Sequence, residues 1–258
     1  TPQAREPEIT AYDQWLTRSL ASAGGADSDG PRVGSMGGGS DHIGFYFHVG
    51  APTMSLAASG GRGTSYHSNY DNLHWYHKVV GDDYEPALML ARVLSVLVSR
   101  LANADALPLD PVGYAPDLRK QLDALEQIAK QKQVPLRTES LRRAIGEFEA
   151  AAVAFESKLA ADIASGALTA DEVAQVNDRV LRRLESVWLD DAGLPERPWF
   201  KSLYMAPDET SGYSAWPLPG VRKAVEDRDA DGAARAVQAL ELRVQSLTQT
   251  LQAQTATR

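Results

Sequence analysis

The chain changes character at Pro108, and this change limits the folds that it can adopt. From Pro31 to about Gly63 the sequence is rich in glycine and aromatic residues, whereas the residues after Pro108 are mainly Ala, Leu, Glu, Gln and Arg. The earlier stretch predicts short buried strands joined by mobile connections, and the later part predicts helices. Two or three short strands cannot form an independent sheet, so we expect the first part to belong to a larger domain.

Apolar residues recur at helical spacing in four segments after Pro108. They predict one helix, a long second helix ending at Gly166, a third opened by a capping box of Thr169 and Glu172, and a last one starting near Asp231. Four such helices favour a bundle. An aromatic, proline-rich insert at 194–220 separates the third from the fourth, and such inserts are usually functional or interfacial. The predicted inward residues are Leu118, Leu122, Leu125, Ala129, then Leu141, Ile145, Phe148, Ala152, Phe155, Leu159, Ile163, then Val173, Val176, Val180, Leu184, Val187, and Val237, Leu240, Val244, Leu247, Leu251.

Composition excludes several kinds of partner and site. The 258 residues carry a formal net charge of −8 with acidic and basic residues interspersed, so no basic stripe is present and nucleic acid is not expected as a partner. The absence of cysteine excludes disulfides, thiolate metal sites and a cysteine nucleophile. Neither a leader sequence nor a membrane-spanning run is visible, so we expect no membrane contact from this segment.

All the histidines lie in the first part of the chain, at positions 42, 48, 67, 74 and 77. His74 and His77 read as surface residues of a helix, and His42 and His48 as residues flanking a strand. His67 differs because it sits in a glycine-lined loop, GGRGTSYHSNYDN, just before a helix, where a side chain can face a cleft. It is therefore the candidate metal ligand. Asp71 either orients the His67 ring or caps the helix that follows.

A complete metal or nucleophile site cannot be read from the sequence. A catalytic zinc needs about three protein ligands, and neither HExxH nor HxxEH spacing occurs. A GxSxG turn, a phosphate-binding loop and a dinucleotide fingerprint are also missing from the sequence. If the protein is a metalloenzyme, most of its ligands are expected to lie elsewhere.

Five segments in register resemble the C-terminal third of glutamate carboxypeptidase II and the transferrin receptor. In that family a zinc peptidase domain is followed by a helical dimerisation domain. The resemblance implies the end of an α/β peptidase domain at 1–107 and a dimerisation domain, similar to a four-helix bundle, at 108–258, with a mostly α chain overall. The segments are AYDQWLTRS (11–19), PRVGSMGGGSDHIGFYFHVGAP (31–52), TSYHSNYDN (64–72), NADALPLD (103–110), and the pair NDRVLRRLESVWLDDAGLPERPWFKSLYMAP (177–207) with GYSAWPLPG (212–220).

The same resemblance assigns roles to single residues. His67 matches a histidine that binds one of two zinc ions, and Tyr66 matches a neighbouring tyrosine that contacts substrate. Gly39 and Ser40 match residues that line the substrate cleft, where Ser40 replaces an asparagine. Tyr213 matches a tyrosine that the dimerisation domain sends into the specificity pocket. The transferrin receptor lacks the histidine, so its presence here favours a peptidase.

Three departures from the family pattern bear on substrate choice and completeness. Gly212 stands where the glutamate-preferring enzyme has a lysine, and Ser55 and Ala57 replace arginines, so preference for acidic peptides is in doubt. The remaining zinc ligands, the bridging aspartate and the glutamate base are expected upstream of Thr1. We therefore expect this chain alone to lack peptidase activity.

The function implied is that of a homodimeric, dinuclear zinc exopeptidase acting on peptides, either a carboxypeptidase or an aminopeptidase. The alternative is a non-catalytic dimerisation or binding module of a transferrin receptor-like protein. An exported protein, or one anchored in a membrane through an upstream segment, is the leading expectation for its location.

Overall fold

The computed structural model describes residues 1–22, 30–58 and 65–256, most of them helical, which confirms the mostly α prediction. A π-helix spans Gly44–Val49, and two 3-10 turns span Leu181–Arg183 and Ser186–Trp188. Two short strands, β1 (Met205–Pro207) and β2 (Ala215–Pro217), pair antiparallel with Ala206 opposite Trp216. The α-helices are α1 (Ala11–Leu20), α2 (Leu73–Val79), α3 (Glu85–Ala102), α4 (Tyr114–Lys132), α5 (Glu139–Ser165), α6 (Ala170–Arg179), α7 (Pro219–Glu226) and α8 (Ala230–Ala256).

The chain forms two compact units that alternate along the sequence. The first contains Thr1–Gly34 and Ser55–Asn103, and the second contains Ser35–Met54 and Ala104–Arg258. Ser35–Met54 interrupts the first unit in sequence but belongs to the second. It lies in the glycine-rich stretch that was expected to form strands. These packing units do not test the domain boundary predicted between residues 107 and 108, which stays a proposal.

The first unit holds α1, α2 and α3. A capping box of Thr10 and Asp13 opens α1, because each residue's side chain satisfies the other's backbone N–H. Arg5 pairs with Asp83 at 2.6 Å and ties the start of the chain to the turn before α3. In α3 Met89 is the buried residue, whereas apolar side chains such as Leu94 and Val98 are exposed.

The core of the second unit is built by α4, α5, α7 and α8, which pack on one another. The inward faces predicted for α4 and α8 are buried, and that of α5 is buried as far as Phe155, while Ile163 near its end is 37% exposed. The predicted stops and starts are also confirmed: Gly166 takes a left-handed φ of 69° after α5, and Thr169 and Glu172 form the capping box of α6.

The third predicted helix ends earlier than expected. We expected one helix through Val187, but α6 stops at Arg179 because Val180 leaves the helical backbone region with φ −120° and ψ −70°. The two tighter turns that follow bring Leu181, Leu184 and Trp188 all into the core. The short helix α7, which was not predicted, packs on α4 and α8 instead.

The strands expected between Pro31 and Gly63 do not appear in residues 30–58. The segment Gly44–Val49 is a π-helix, and the described strands lie only at 205–217. A strand without a neighbour would leave its backbone N–H and C=O groups unpaired, whereas a helical turn pairs them internally. The finer division into an α/β part and a helical part is therefore not confirmed.

Phe47 attaches this π-helix to the rest of the second unit. Its ring is fully buried, 6.2 Å from the ring of Phe200. Its carbonyl accepts hydrogen bonds from the N–H groups of Lys201 (2.9 Å) and Ser202 (3.1 Å). Side-chain burial and backbone pairing thus hold the glycine-rich segment against the insert at 194–220.

A buried tyrosine and carboxylate network lies beside this attachment. Tyr114 donates a hydrogen bond to Glu185 Oε1 at 2.6 Å, and Tyr204 donates one to Asp117. Trp188 packs against both tyrosines, with ring centroids 5.6 Å from Tyr114 and 5.1 Å from Tyr204. Burial raises the pKa of Tyr114 and of Glu185, so it favours the neutral forms of these two side chains.

Candidate functional site

The candidate metal ligand His67 lies on an exposed turn of the first unit. The Ser68 N–H donates to the Ser65 carbonyl at 3.0 Å, and the Ser68 hydroxyl donates to the same carbonyl at 2.6 Å. His67 has a left-handed φ of 57°, which costs a non-glycine residue about 1 kcal/mol and is commonest for Asn, Asp and His. A strained backbone at an exposed histidine is a feature that motivates a functional hypothesis.

The ring of Tyr66 stacks on the ring of its neighbour His67. The centroids are 3.8 Å apart and the planes differ by 19°. The two residues predicted to serve metal and substrate therefore form one aromatic surface on the turn.

Asp71 does not cap the helix that follows it. The side chain of Asn72 accepts the hydrogen bond from the Trp75 N–H at 3.1 Å and is the N-cap of α2. The sequence left two roles open for Asp71. The helix cap is filled by Asn72, and the orientation of His67 by Asp71 stays a prediction.

Three other histidines hold parts of the fold together. His42 Nε2 lies 2.8 Å from the Gly37 carbonyl, and His48 Nδ1 lies 2.7 Å from the Trp199 carbonyl. His77 Nε2 lies 2.6 Å from the Tyr84 hydroxyl. His77 lies on α2, as the sequence predicted, whereas His42 lies just before the π-helix and His48 within it, so neither flanks a strand.

Tyr213 lies in the second unit, on the loop of residues 208–214 that joins β1 to β2, here called the Tyr213 loop. The Asp208 carboxylate accepts hydrogen bonds from the backbone N–H groups of Ser211 (3.0 Å), Tyr213 (3.1 Å) and Ser214 (3.2 Å), and from the Ser211 hydroxyl (2.7 Å). The Ser211 N–H and hydroxyl, followed by the other two N–H groups, lower the pKa of Asp208 to about 2. The tyrosine side chain itself is 50% exposed.

Three consecutive glycines pack directly on this loop. A Cβ on Gly37 would stand 1.8 Å from the Tyr213 carbonyl oxygen, and a Cβ on Gly38 would stand 1.8 Å from the Gly212 carbonyl oxygen. The Gly38 N–H donates to the Tyr213 carbonyl at 2.9 Å. Glycine is required here because any side chain would collide with the loop backbone.

Gly39 and Ser40, the other predicted cleft residues, continue this contact. Gly39 has a φ of 85° and lies against the Tyr213 ring, where a Cβ would stand 2.5 Å from Cε1. Ser40 is exposed, and its carbonyl accepts a hydrogen bond from the Ile43 N–H at the start of the helical segment. The structure thus brings Gly39 and Tyr213 together, although they are 174 positions apart in the sequence.

Gly212 lies in open space next to Tyr213. A Cβ there would meet no atom within 4 Å, but its φ of 71° is left-handed. A Cβ would therefore meet no neighbour but would carry a backbone strain of about 1 kcal/mol.

The base of the Tyr213 loop is held by Arg197. Its guanidinium donates to the Pro207 carbonyl at 2.8 Å and lies over the rings of Phe200 (5.3 Å) and Trp216 (5.9 Å). Nearby, Lys223 pairs with Glu196 at 3.2 Å and Asp227 at 2.7 Å, and these carboxylates raise its pKa. The contacts of Arg197 reach both β1 and β2, from which the loop projects.

Sequence reasoning did not single out Asp208 or Arg197. An aspartate followed three residues later by a serine is a turn signal, because a short carboxylate can accept from backbone N–H groups nearby. That signal was present in DETS at 208–211. The contacts of Arg197 depend on the tertiary fold and had no local signal.

Comparison with known proteins bears on the whole chain. The family model of the transferrin receptor-like dimerisation domain matches residues 136–252, which include α5, α6, α7, the Tyr213 loop and most of α8. A probable glutamate carboxypeptidase of Arabidopsis thaliana is 32% identical over 230 residues, which cover 87% of this chain and 31% of that protein. A probable glutamate carboxypeptidase of Arthroderma benhamiae is 30% identical over 253 residues, covering 93% of this chain and 32% of that protein.

The chain belongs to the glutamate carboxypeptidase and transferrin receptor-like family. An aminopeptidase of Rattus norvegicus is a further relative, 24% identical over 217 residues that cover 79% of this chain and 28% of that protein. The chain spans about a third of the length of the curated relatives it matches. The peptidase names of these relatives therefore describe longer proteins.

Two further properties of the described residues bear on this family membership. Within residues 1–22, 30–58 and 65–256, no group of three or more His, Asp or Glu side chains is arranged to hold a metal ion. The helices described in the same ranges include none with the length and apolar composition needed to cross a bilayer. For this family member, His67 is thus a single candidate ligand.

Proposed function

We propose that this chain is part of a dimeric, zinc-dependent exopeptidase, in which His67 binds metal and Tyr213 forms one wall of a peptide pocket. The observation that carries the proposal is the similarity to proteins named glutamate carboxypeptidase over most of the chain. The packing of Gly39 on Tyr213 supports the pocket, because it brings two of the predicted substrate-binding residues together.

His67 suits a metal ligand in its exposure and its chemistry. Its ring lies at the surface on a turn closed by two Ser65 carbonyl contacts, so one nitrogen of the neutral imidazole can reach a metal. When bound, zinc ions supply polarisation of the peptide carbonyl and a water of lowered pKa. A catalytic zinc needs about three protein ligands, so we propose that the other ligands and the base come from the part of the relatives that this chain does not span.

The metal proposal is tested in the complete gene product by comparing His67→Ala with His74→Ala. His74 is a matched control because it is also exposed and lies on α2, close to His67 in sequence. We expect about two zinc ions per wild-type chain, loss of about one in His67→Ala with at least a hundredfold lower peptidase activity, and no change in His74→Ala. A wild-type protein without zinc or activity would instead support a non-catalytic dimerisation module.

Residues 108–258 are proposed to pair two copies of the chain. The matched domain is described as a dimerisation domain, and apolar side chains stay exposed on its two longest helices: Val153 is 48% exposed on α5, and Leu242 is 59% exposed on α8. Stable dimers of this kind bury upward of roughly 2,000 Å². We expect sedimentation at micromolar concentration to show a dimer that Val153→Arg weakens, whereas Glu147→Arg, at an exposed charged position of α5, does not. A wild-type monomer would refute the pairing.

The substrate is proposed to carry a neutral side chain. Gly212 supplies no ammonium beside Tyr213, so an acidic side chain in this pocket would be desolvated without a partner. The test compares hydrolysis of neutral and glutamyl peptides by the complete wild type, Gly212→Lys and Gly212→Asn. Asparagine tolerates a left-handed backbone and controls for the strain at φ 71°. The proposal fails if the wild type already prefers the glutamyl peptide, or if lysine leaves the ratio where asparagine does.

A further inference from the structure

The backbone of Tyr213 is held on both sides by named partners. Its N–H donates to Asp208 Oδ1 at 3.1 Å, and its carbonyl accepts from the Gly38 N–H at 2.9 Å. Both backbone polar groups of Tyr213 are therefore satisfied within the protein, and the side chain is left half-exposed with one face on Gly39. A tyrosine held in this way can contact a ligand without rearranging its backbone.

Asp208 is the residue that organises the rest of the loop. Its carboxylate receives three backbone N–H groups and one hydroxyl between residues 211 and 214, and its own N–H donates to the Ser214 carbonyl at 2.8 Å. These contacts close the loop into a compact turn. Without the carboxylate, the N–H groups of Ser211 and Ser214 would lose this acceptor, and the Tyr213 N–H would keep only the Ser211 hydroxyl oxygen at 3.1 Å.

We propose that Asp208 is a positioning residue for peptide binding: its carboxylate presets the Tyr213 loop, so that the pocket wall exists before the substrate arrives. This inference rests on the proposed function, because it takes Tyr213 to contact the peptide. Presetting a loop lowers the entropy lost on binding, so the benefit is expected in substrate affinity. Asp208 does not touch the substrate and acts through Tyr213.

The neighbouring acid, Glu209, is not an alternative for this role. It lies 3.4 Å from Arg197 and 3.6 Å from Lys223, at the base of the loop. The Asp208 carboxylate instead faces the loop N–H groups, which keep it ionised because they lower its pKa to about 2. The loop should therefore keep its shape throughout the neutral and mildly acidic range.

The substitution Asp208→Asn tests the inference with little change in size. An amide has one acceptor oxygen and brings two N–H donors, so at least one loop N–H would face a donor instead of an acceptor. The control is Asp191→Asn, because Asp191 has a fully exposed side chain, 101% accessible, and makes one 3.3 Å contact with Lys201. Both variants remove one negative charge from the second unit.

The first measurement is amide hydrogen exchange at Ser211, whose N–H donates to Asp208 Oδ2 at 3.0 Å and would face the new amide nitrogen. We expect exchange at this amide to become at least about tenfold faster in Asp208→Asn and to stay unchanged in Asp191→Asn. The second is steady-state hydrolysis of a neutral dipeptide by the complete gene product. Here Asp208→Asn should raise KM about tenfold with kcat changed less than about twofold, since the interaction acts before the chemical step.

The possible results separate this inference from the proposed function. Unchanged exchange, or faster exchange with an unchanged KM, in an active enzyme overturns the role of Asp208 and leaves the proposed function standing. A fall in kcat with an unchanged KM also overturns it. If the wild-type protein binds neither zinc nor peptide, the proposed function is wrong, and so is the role of Asp208 in the pocket.

Discussion

The ring of Tyr213 occupies the space where a side chain on residue 39 would have to lie. A Cβ on Gly39 would stand 2.5 Å from Cε1 and 2.6 Å from Cδ1 of Tyr213. Real Cβ atoms do not approach so closely, and the φ of 85° at Gly39 also disfavours any other residue. The position of the tyrosine ring therefore depends on a glycine that is remote in sequence.

The variant Gly39→Ala should displace the Tyr213 ring and destabilise the second unit by about 1–3 kcal/mol, through overpacking and backbone strain. Urea unfolding measures the stability, and the NMR shifts of the Tyr213 ring report its displacement. Gly34→Ala is the control, because a Cβ there meets no atom within 4 Å. Equal stability of the two variants would contradict the packing described.

Tyr114→Phe should destabilise the second unit by about 1–3 kcal/mol. The Glu185 carboxyl would lose the hydroxyl that donates to it at 2.6 Å, and an unsatisfied buried acceptor costs this much. Tyr70→Phe removes a hydroxyl from a side chain that is 75% exposed and should change little. The free energies of unfolding in urea decide the matter, and a loss equal to that of the control would refute it.

Glu156 makes stability depend on pH between mild acid and neutrality. Burial, followed by the hydrogen bond and negative charge of Asp110, raises the pKa of Glu156 from 4.5 to about 7. The protonated form is thus favoured in the folded protein, and its contribution is complete below pH 4.5 and lost as the pH rises through about 7. Glu156→Gln should remove this part of the slope of unfolding free energy against pH. Glu147→Gln, on the same helix, should keep it.

Gly146→Ala should stabilise the second unit by up to about 1 kcal/mol. Gly146 lies inside α5, a Cβ there meets no atom within 4 Å, and alanine loses less backbone entropy in a helix. The matched variant Gly232→Ala, in the first turn of α8, should be destabilising because its Cβ would lie 2.2 Å from Asp229 Oδ2. Thermal unfolding should shift upward for the first variant and downward for the second.

The sequence predicted the parts of the fold that obey a local period. The buried faces of α4 and α8, the Gly166 stop and the Thr169 cap all follow from spacing or from residue type at a helix end. The π-helix Gly44–Val49 was mistaken for strand because a short apolar, aromatic run carries no period that separates the two. Helix α7 is only eight residues long and gave no clear pattern.

The candidate site could be predicted from the sequence only in part. Tyr213 and Gly39 were suggested by family resemblance, and the structure shows that they touch. Spacing alone could not have paired them, because the contact joins distant segments of the chain. Asp208 acts through hydrogen bonds within its own loop, and such contacts leave only a short turn signal in the sequence.

Phe47 has a consequence for how the polypeptide is made. Phe200 and Lys201 complete its surroundings, and both are synthesised more than 150 residues after it. During translation at roughly 5–20 residues per second, its ring therefore waits several seconds on the ribosome without its native neighbours. For the same reason, a recombinant fragment cut at Ala104 would lack this ring and expose the apolar surface that it covers. Any attempt to produce the helical part alone should therefore keep residues 35–54, either in place or supplied as a separate peptide.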